Sequence, residues 1–323
     1  MKREKIPEAK PLFIERIKEL FENAEDFENY INILKIHPVK SIRCNTLKIS
    51  SDELKKRLEK KGWAIKQPWE KFPEVMVVEN ELGPGELGRS LEHQLGYYYI
   101  QELASMLPVI ALNPQPDEKV LDLCSSPGSK TTQIASKMKN TGVIIANEIN
   151  LKRIKILSSN LERCGVVNAI ITKKEGTAFC NRLKKENFLF DKVLIDAPCS
   201  GEGTLRSTPK TYLMWNINTI KKLSKIQKRL ISSAIEILKP GGEIVYSTCT
   251  HAPEENEEVI DFSLKEFGGR IKIEKISLPV KCREGIKEWQ GKEYSEKVKN
   301  SCRIYPQDSN TEGFFIAKFK KIK

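Results

Sequence analysis

Two cysteines in this chain stand where they could do covalent chemistry. Cys199 lies in Asp196-Ala197-Pro198-Cys199-Ser200-Gly201, and Cys249 in Tyr246-Ser247-Thr248-Cys249-Thr250. Each follows a short apolar run that predicts a buried strand: Lys192-Val193-Leu194-Ile195 for the first, Glu243-Ile244-Val245-Tyr246 for the second. In an open α/β sheet, ligands bind outside the carboxyl ends of the strands, so two thiols delivered to that rim can face one substrate. One thiolate can add to an electrophilic ring carbon while the other handles a proton. Methylation of carbon 5 of cytosine needs this combination, because that carbon becomes enamine-like only after a nucleophile has added at carbon 6. A single strand-end cysteine is ordinarily packing; the pair in these contexts points to catalysis.

The elements that must position these thiols form an alternating pattern. Val120–Leu123, Val143–Ala146, Ala169–Thr172, Val193–Ile195 and Ile244–Tyr246 read as strands; Lys130–Met138, Leu151–Cys164 and Ile217–Leu238 read as helices. Strands spaced by helices predict βαβ units and a mostly parallel sheet. Phe314–Phe319 reads as a last, edge strand. Before the sheet, residues from about Pro7 to Ile36 have helical spacing, Ile42–Leu47 and Val75–Val78 suggest strands, and Ser50 with Glu53 has capping-box spacing before a helix Leu54–Lys61. Leu82–Gly88 reads as a connection, followed by a helix around Tyr98–Leu107. The expected division is a small α+β module over residues 1–88 and a catalytic domain over residues 89–323.

Composition bounds the alternatives. The 323 residues carry a formal charge of +12, with 39% hydrophobic and 30% charged residues. No apolar run approaches the ~20 residues of a membrane span, and Met1-Lys2-Arg3-Glu4-Lys5 leads into no signal-type core, so a cytoplasmic protein is expected. The basic balance suits a polyanionic partner, although Lys- and Glu-rich surfaces also accompany heat adaptation. Eight cysteines are too few for a disulfide scaffold in a chain of this length. Disulfides are disfavoured, and Cys282 with Cys302 is the pair to consider if any forms. With no Cys-x-x-Cys and three scattered histidines, no metal site is expected.

The turn Cys124-Ser125-Ser126-Pro127-Gly128-Ser129-Lys130 runs from the first sheet strand into a helix start. Small residues there allow close backbone approach to a ligand, and the helix start offers free N–H groups. The turn is neither Gly-x-Gly-x-x-Gly nor a P-loop, which disfavours dinucleotides and triphosphates. Glu148 ends the second strand, twenty positions past Gly128, where a carboxylate can take both hydroxyls of a ribose. That combination suits S-adenosylmethionine, which has a ribose and an adenine but no phosphate.

Taken together, Asp122-Leu-Cys-Ser-Ser-Pro-Gly-Ser-Lys130-Thr131, Asp196-Ala-Pro-Cys199-Ser-Gly-Glu-Gly203 and Ser247-Thr-Cys249-Thr-His-Ala-Pro-Glu-Glu-Asn256-Glu257 resemble the Nop/Sun family of RNA 5-methylcytosine methyltransferases, of the archaeal tRNA type. Arg43–Lys48, Tyr99–Pro108 and Thr311–Phe315 extend the resemblance over nearly the whole chain. The resemblance implies a Rossmann-like α/β methyltransferase sheet using S-adenosylmethionine, with a small N-terminal α+β RNA-binding module. It implies that Cys249 is the nucleophile and that Cys199 assists release. It places the cofactor at residues 124–130, Glu148, Arg153 and Asp196. Glu175 stands where members usually have Asp near the adenine, and Ser129 where they often have Gly. A nucleophilic thiol must ionise below its usual pKa of about 8.5; Lys130 is the cation expected near it, and Asp196 is expected to hydrogen-bond the cytosine ring edge.

The target base must leave any stack to reach these groups. Arg43, Lys48, Arg206 and Lys210 are candidate phosphate contacts, Gly201–Arg206 reads as a flexible loop able to close over substrate, and Tyr212 and Trp215 could stack on bases or simply pack. A DNA cytosine-5 methyltransferase would use Cys199 as nucleophile and would not need Cys249. A non-catalytic RNA-binding assembly factor would not need Cys249, Cys199 or Asp196 at all. The expected substrate is tRNA, with ribosomal RNA the alternative, and the expected protein is a monomer.

Overall fold

The computed structural model describes residues 9–323. The chain forms two compact units. One holds Met1–Pro38 (described from Ala9), Ile195–Glu236 and Glu243–Lys323; the other holds Val39–Leu194 and Ile237–Gly242.

In the second unit, chain-local signals set the element ends. Ser50 accepts the Glu53 amide at 3.2 Å and starts the helix Ser51–Lys60. That helix buries Leu54 and Leu58 against strands β1 (Lys40–Cys44), β2 (Ile65–Lys66), β3 (Val75–Val78) and β4 (Tyr98–Ile100). These strands form an antiparallel sheet in the order β2-β3-β1-β4. The helix expected over Tyr98–Leu107 is therefore wrong at its start. Tyr98 to Ile100 pair with Cys44 to Ile42, and the helix runs Leu103–Leu112, capped by the Glu102 carboxylate. Cross-strand pairing overrode the continuous apolar run.

The same unit holds the parallel sheet, apart from Ile195 and Asp196 at the end of its last strand. Strands β5 (Lys119–Asp122), β6 (Val143–Asn147), β7 (Ala169–Thr172) and β8 (Phe190–Asp196) lie in the order β8-β5-β6-β7, all parallel. The order reverses at β5, where the chain goes out to β6 and β7 and returns to β8 on the other side. In α/β sheets the ligand crevice opens at such a switch point. Helices Ser129–Lys137, Leu151–Cys164 and Gly176–Lys185 connect the strands. Asn150 caps the second of these and Gly165, at φ +71°, ends it.

In the first unit, the expected helical stretch from Pro7 is two helices, Pro11–Glu19 and Ala24–Leu34; Pro7 and Glu8 lie outside the described residues. Asn23 breaks the stretch by accepting the Asp26 amide at 2.8 Å. Phe13, Ile17, Tyr30 and Leu34 pack with Leu205, Tyr212, Trp215, Ile220 and Tyr305.

The remaining strands are β9 (Leu238–Thr248), β10 (Ile271–Glu274), β11 (Arg283–Glu284), the hairpin β12 (Glu288–Trp289) with β13 (Lys292–Glu293), β14 (Cys302–Ile304) and β15 (Phe314–Lys321). β15 is antiparallel to β9, β14 and β10. It is thus an interior strand, not the edge expected from its sequence; its near-continuous burial suits that position. Cys282 and Cys302 are disulfide-bonded; the expectation against disulfides is overturned, at the pair the sequence named as the one to consider. Among the described residues no helix is long and apolar enough to cross a membrane, and no His, Cys, Asp or Glu cluster could hold a metal ion.

Candidate active site

In the first unit, the ends of β8 and β9 lie side by side, with the Ala197 amide donating to the Ser247 carbonyl at 2.9 Å. Past these ends the chain brings Cys199 Sγ to 3.3 Å from Cys249 Sγ. Asp196 stands next to them, its Oδ1 accepting from Ser247 Oγ at 2.9 Å. The hydrogen bond with Cys249 and burial push the Cys199 thiol well above its ordinary pKa; the nearby charges of Cys249 and Glu255 push the same way. The Cys199 thiol therefore holds its proton.

Buried polar groups fix this arrangement. Glu255 Oε2 accepts the Ser200 amide at 3.1 Å and Gln227 Nε2 at 2.8 Å, and Gln227 Nε2 also donates to the Pro198 carbonyl at 2.9 Å. Together they clamp the turn that carries Cys199. Burial pushes the Glu255 carboxyl up to about 7, against hydrogen bonds from Ser200 and Gln227 that favour its ionised form. Beside it, Ser200 Oγ meets Thr250 Oγ1 at 2.7 Å, and Thr250 Oγ1 donates to Glu202 Oε2 at 3.2 Å. His251 is buried against Tyr305 in a stacked pair, and burial holds its pKa down to about 3, so the ring is neutral. Sequence reasoning gave Glu255 and Gln227 no role. A carboxylate within Pro253-Glu254-Glu255-Asn256-Glu257-Glu258 reads as surface charge, and only its place directly after the Thr-Cys motif hinted otherwise.

The substrate-facing expectations need correction here. Gly201–Arg206 is not a loose lid. Glu202–Thr204 forms a 3-10 turn, the Gly203 amide donates to the Cys249 carbonyl at 2.9 Å, and a Cβ on Gly203 would sit 2.3 Å from the Gly313 carbonyl oxygen. Arg206 is 0% exposed and donates to the carbonyls of Ile36, His37 and Thr311 and to Asn310 Oδ1. It is bound to protein, not placed for phosphate. Tyr212 and Trp215 are buried, edge-on to Phe13, and Trp215 Nε1 donates to Glu202 Oε1 at 2.7 Å. Both are packing residues. Lys210 is exposed.

The cofactor candidates lie in the second unit. Leu123 and Cys124 leave β5; the Ser125 amide and hydroxyl both donate to the Asn147 carbonyl at 2.9 Å. Ser126 Oγ donates to the Arg153 carbonyl, and Arg153 Nη2 returns a bond to the Ser126 carbonyl at 2.6 Å. The Ser126–Pro127 bond is cis. Gly128 sits at φ +104°, and a Cβ there would lie 3.1 Å from Leu157 Cδ1, so the turn needs glycine at this point. Ser129 has no positive φ, so the absence of glycine there carries no strain. Lys130 Nζ donates to Ser105 Oγ at 3.0 Å.

Glu148 is buried at the end of β6, with Oε1 accepting the Asn150 amide at 2.9 Å and Oε2 3.1 Å from Arg153 Nη1. Each oxygen keeps a further lone pair, which fits a ribose diol. The Glu175 oxygens cap the helix Gly176–Lys185, taking the Thr177 and Ala178 amides at 3.2 and 2.7 Å. Arg43 is 1% exposed and donates to the Ser129 carbonyl and Thr132 Oγ1 at 2.8 Å and to Gln101. It braces the turn from within and is not available to phosphate. Lys48 is exposed, its Nζ donating to the Leu95 and Arg163 carbonyls at 2.9 and 2.8 Å.

A parallel sheet with a switch point at its first strand, a short small-residue turn after that strand and a carboxylate ending the next define the class: an S-adenosylmethionine-dependent methyltransferase. The family described as "16S rRNA methyltransferase RsmB/F" matches residues 109–320, and "N-terminal domain of 16S rRNA methyltransferase RsmF" matches residues 10–103. The chain belongs to this family, the Nop/Sun RNA cytosine-5 methyltransferases that its motifs resemble.

The chain is 44% identical over 308 residues to the tRNA (cytosine(49)-C(5))-methyltransferase of Pyrococcus abyssi, covering 95% of each. It is 40% identical over 319 residues to the ribosomal RNA small subunit methyltransferase F of Vibrio parahaemolyticus, covering 98% of this chain but 63% of that protein. The crystal structure of a methyltransferase homolog from Pyrococcus horikoshii matches with a TM-score of 0.79 at 35% identity, over 97% of this chain and 99% of that one.

Proposed function

We propose that this chain methylates carbon 5 of cytosine in tRNA through a covalent adduct between Cys249 and carbon 6, with Cys199 assisting release. The observation that carries the mechanism is the 3.3 Å separation of the two thiols, with the proton held on Cys199. Cys249 adds to carbon 6, and Asp196 hydrogen-bonds the ring edge as negative charge moves onto the cytosine. Residues 124–130, Glu148, Arg153, Glu175 and Asp196 would hold S-adenosylmethionine, which would supply the methyl group to carbon 5 as its S–CH3 bond breaks and leave as S-adenosylhomocysteine. Once Cys249 is a thioether, the thiol–thiol hydrogen bond that raised Cys199 is gone, and Cys199 takes part in removing the carbon-5 proton so that elimination frees Cys249.

Residues 1–88 contribute RNA binding and residues 89–323 carry catalysis, in a monomeric cytoplasmic protein. The tRNA reading is supported by the 44% identity, over 95% of each chain, to the Pyrococcus tRNA enzyme. The ribosomal reading has the family match on its side. Labelled methyl transfer to tRNA and to ribosomal RNA, followed by bisulfite mapping, tests both. Label at tRNA cytosines is expected; label confined to ribosomal RNA would overturn the tRNA assignment, and no transfer to any RNA would leave a binding protein.

A further inference from the structure

From Gly203 to Ile235 the sequence has no Asp or Glu but seven Lys and Arg, more than half of the formal net charge of +12. Two of the seven are accounted for by the protein: Arg206 is buried on backbone carbonyls, and Lys228 pairs with Glu258 at 2.6 Å. Lys210, Lys221, Lys222, Lys225 and Arg229 are exposed and have no acidic partner among the described residues. Other helices pair their surface charges along one face, as in Lys55–Glu59, Arg57–Glu53 and Arg182–Glu186. Here that compensation is missing.

Lys221, Lys222, Lys225 and Arg229 lie on the helix Ile217–Glu236. At 3.6 residues per turn they fall within an arc of about 100° and extend over about 12 Å of helix axis. The opposite face is buried through Ile220, Ser224, Gln227, Leu230 and Ile231. On that face Gln227 clamps the Cys199 turn, and Ser224 Oγ donates to the Glu254 carbonyl at 2.5 Å. The unpaired charges therefore stand on the outside of the element that holds Cys199 from the inside.

Just before this helix, Leu213 and Met214 are 60% and 71% exposed. Tyr212 and Trp215 on either side are buried, and Trp215 is tied to Glu202 beside Thr250. Two large apolar side chains are thus exposed between buried neighbours, just ahead of the basic stripe in the chain. Nucleic-acid-binding proteins use the same pairing, with basic groups along the phosphates and apolar side chains such as Leu and Met set between bases.

We propose that Lys221, Lys222, Lys225 and Arg229 form a phosphate track for an unpaired RNA strand, along which Leu213 and Met214 pack against the base stack that the target cytosine leaves. The inference rests on the reading of the chain as an RNA methyltransferase and names the surface that delivers the strand.

The test measures RNA binding against salt concentration and steady-state methyl transfer for three proteins. These are the wild type, the variant Lys221→Gln/Lys222→Gln/Lys225→Gln/Arg229→Gln, and a control Lys184→Gln/Lys185→Gln/Lys272→Gln/Lys320→Gln with the same charge change at exposed sites. Each phosphate contact contributes a slope of about −0.7 for single strands. The track variant should bind with a log–log salt slope shallower by about 3 and lose affinity by on the order of 100-fold at low salt. Its KM should rise while kcat is retained, and its thermal midpoint should match the wild type. Leu213→Ala/Met214→Ala should slow transfer to a folded RNA more than to an unstructured oligonucleotide.

An unchanged salt slope in the track variant, or an equal loss in the control, overturns the proposal. Wild type that binds RNA but methylates none would instead overturn the enzyme reading and leave the track to be judged by the slope. Wild type that does not bind RNA overturns both.

Discussion

Replacing Glu255 with Gln should make the protein's stability less dependent on pH. Glu255 is fully buried, and burial moves its carboxyl from an ordinary 4.5 to about 7. A folded-state pKa raised above the unfolded value means that the folded protein binds a proton that the unfolded chain has released. The contribution is fully present below pH 4.5 and is lost as pH rises through 7. The whole effect is about 3.4 kcal/mol, at ~1.36 kcal/mol per unit. Between about pH 5 and pH 8 the linkage relation gives a relative loss of about 2.5 kcal/mol for the wild type that the Glu255→Gln variant does not suffer.

Urea unfolding of both proteins at a series of pH values gives this directly. Any change in the bonds from Ser200 and Gln227 would shift the variant by an amount independent of its own ionisation. The pH dependence of the difference therefore isolates the carboxyl. The Glu255→Gln variant should gain on the wild type by that amount across the window. A difference that stays flat from about pH 5 to pH 8 would refute the reasoning, because it would mean that the carboxyl ionises in the folded protein as it does in water.

Two further outcomes follow from the corrected positions. Arg206→Ala strands the carbonyls of Ile36, His37 and Thr311 in a buried site, and should cost about 3 kcal/mol or more in denaturant unfolding; a stability within error of the wild type would return Arg206 to the substrate surface. Reduction of Cys282–Cys302, which are 20 positions apart, should destabilise the protein by about 3 kcal/mol. Alkylation with mass spectrometry should find this pair protected until reductant is added, and immediate labelling of both would contradict the bond.

Much of the fold was legible where local signals and tertiary demands agree. Val75–Val78, Leu151–Cys164 and Ala169–Thr172 have the bounds that apolar runs and caps predicted. Tyr98–Ile100 was not legible, because Tyr-Tyr-Ile runs into an apolar helix and only its antiparallel partner β1 makes it a strand. The interior place of β15 was hidden for the same reason: β10 and β14, which flank it, are short and polar in sequence.

At the site, the two cysteines could be read from sequence because their chemistry requires both. Glu255, Arg206 and Arg43 could not. A charged residue looks like solvated surface until the structure shows the carbonyls and amides that enclose it, and here all three hold turns instead of meeting solvent.

The most direct test of the account is denaturing-gel detection of covalent protein–RNA complexes with Cys249→Ala and Cys199→Ala in the presence of S-adenosylmethionine. Cys249→Ala should form no adduct and transfer no methyl group, while Cys199→Ala should add to RNA and accumulate as a trapped complex. Trapping by Cys249→Ala with none by Cys199→Ala would contradict the account and make Cys199 the nucleophile.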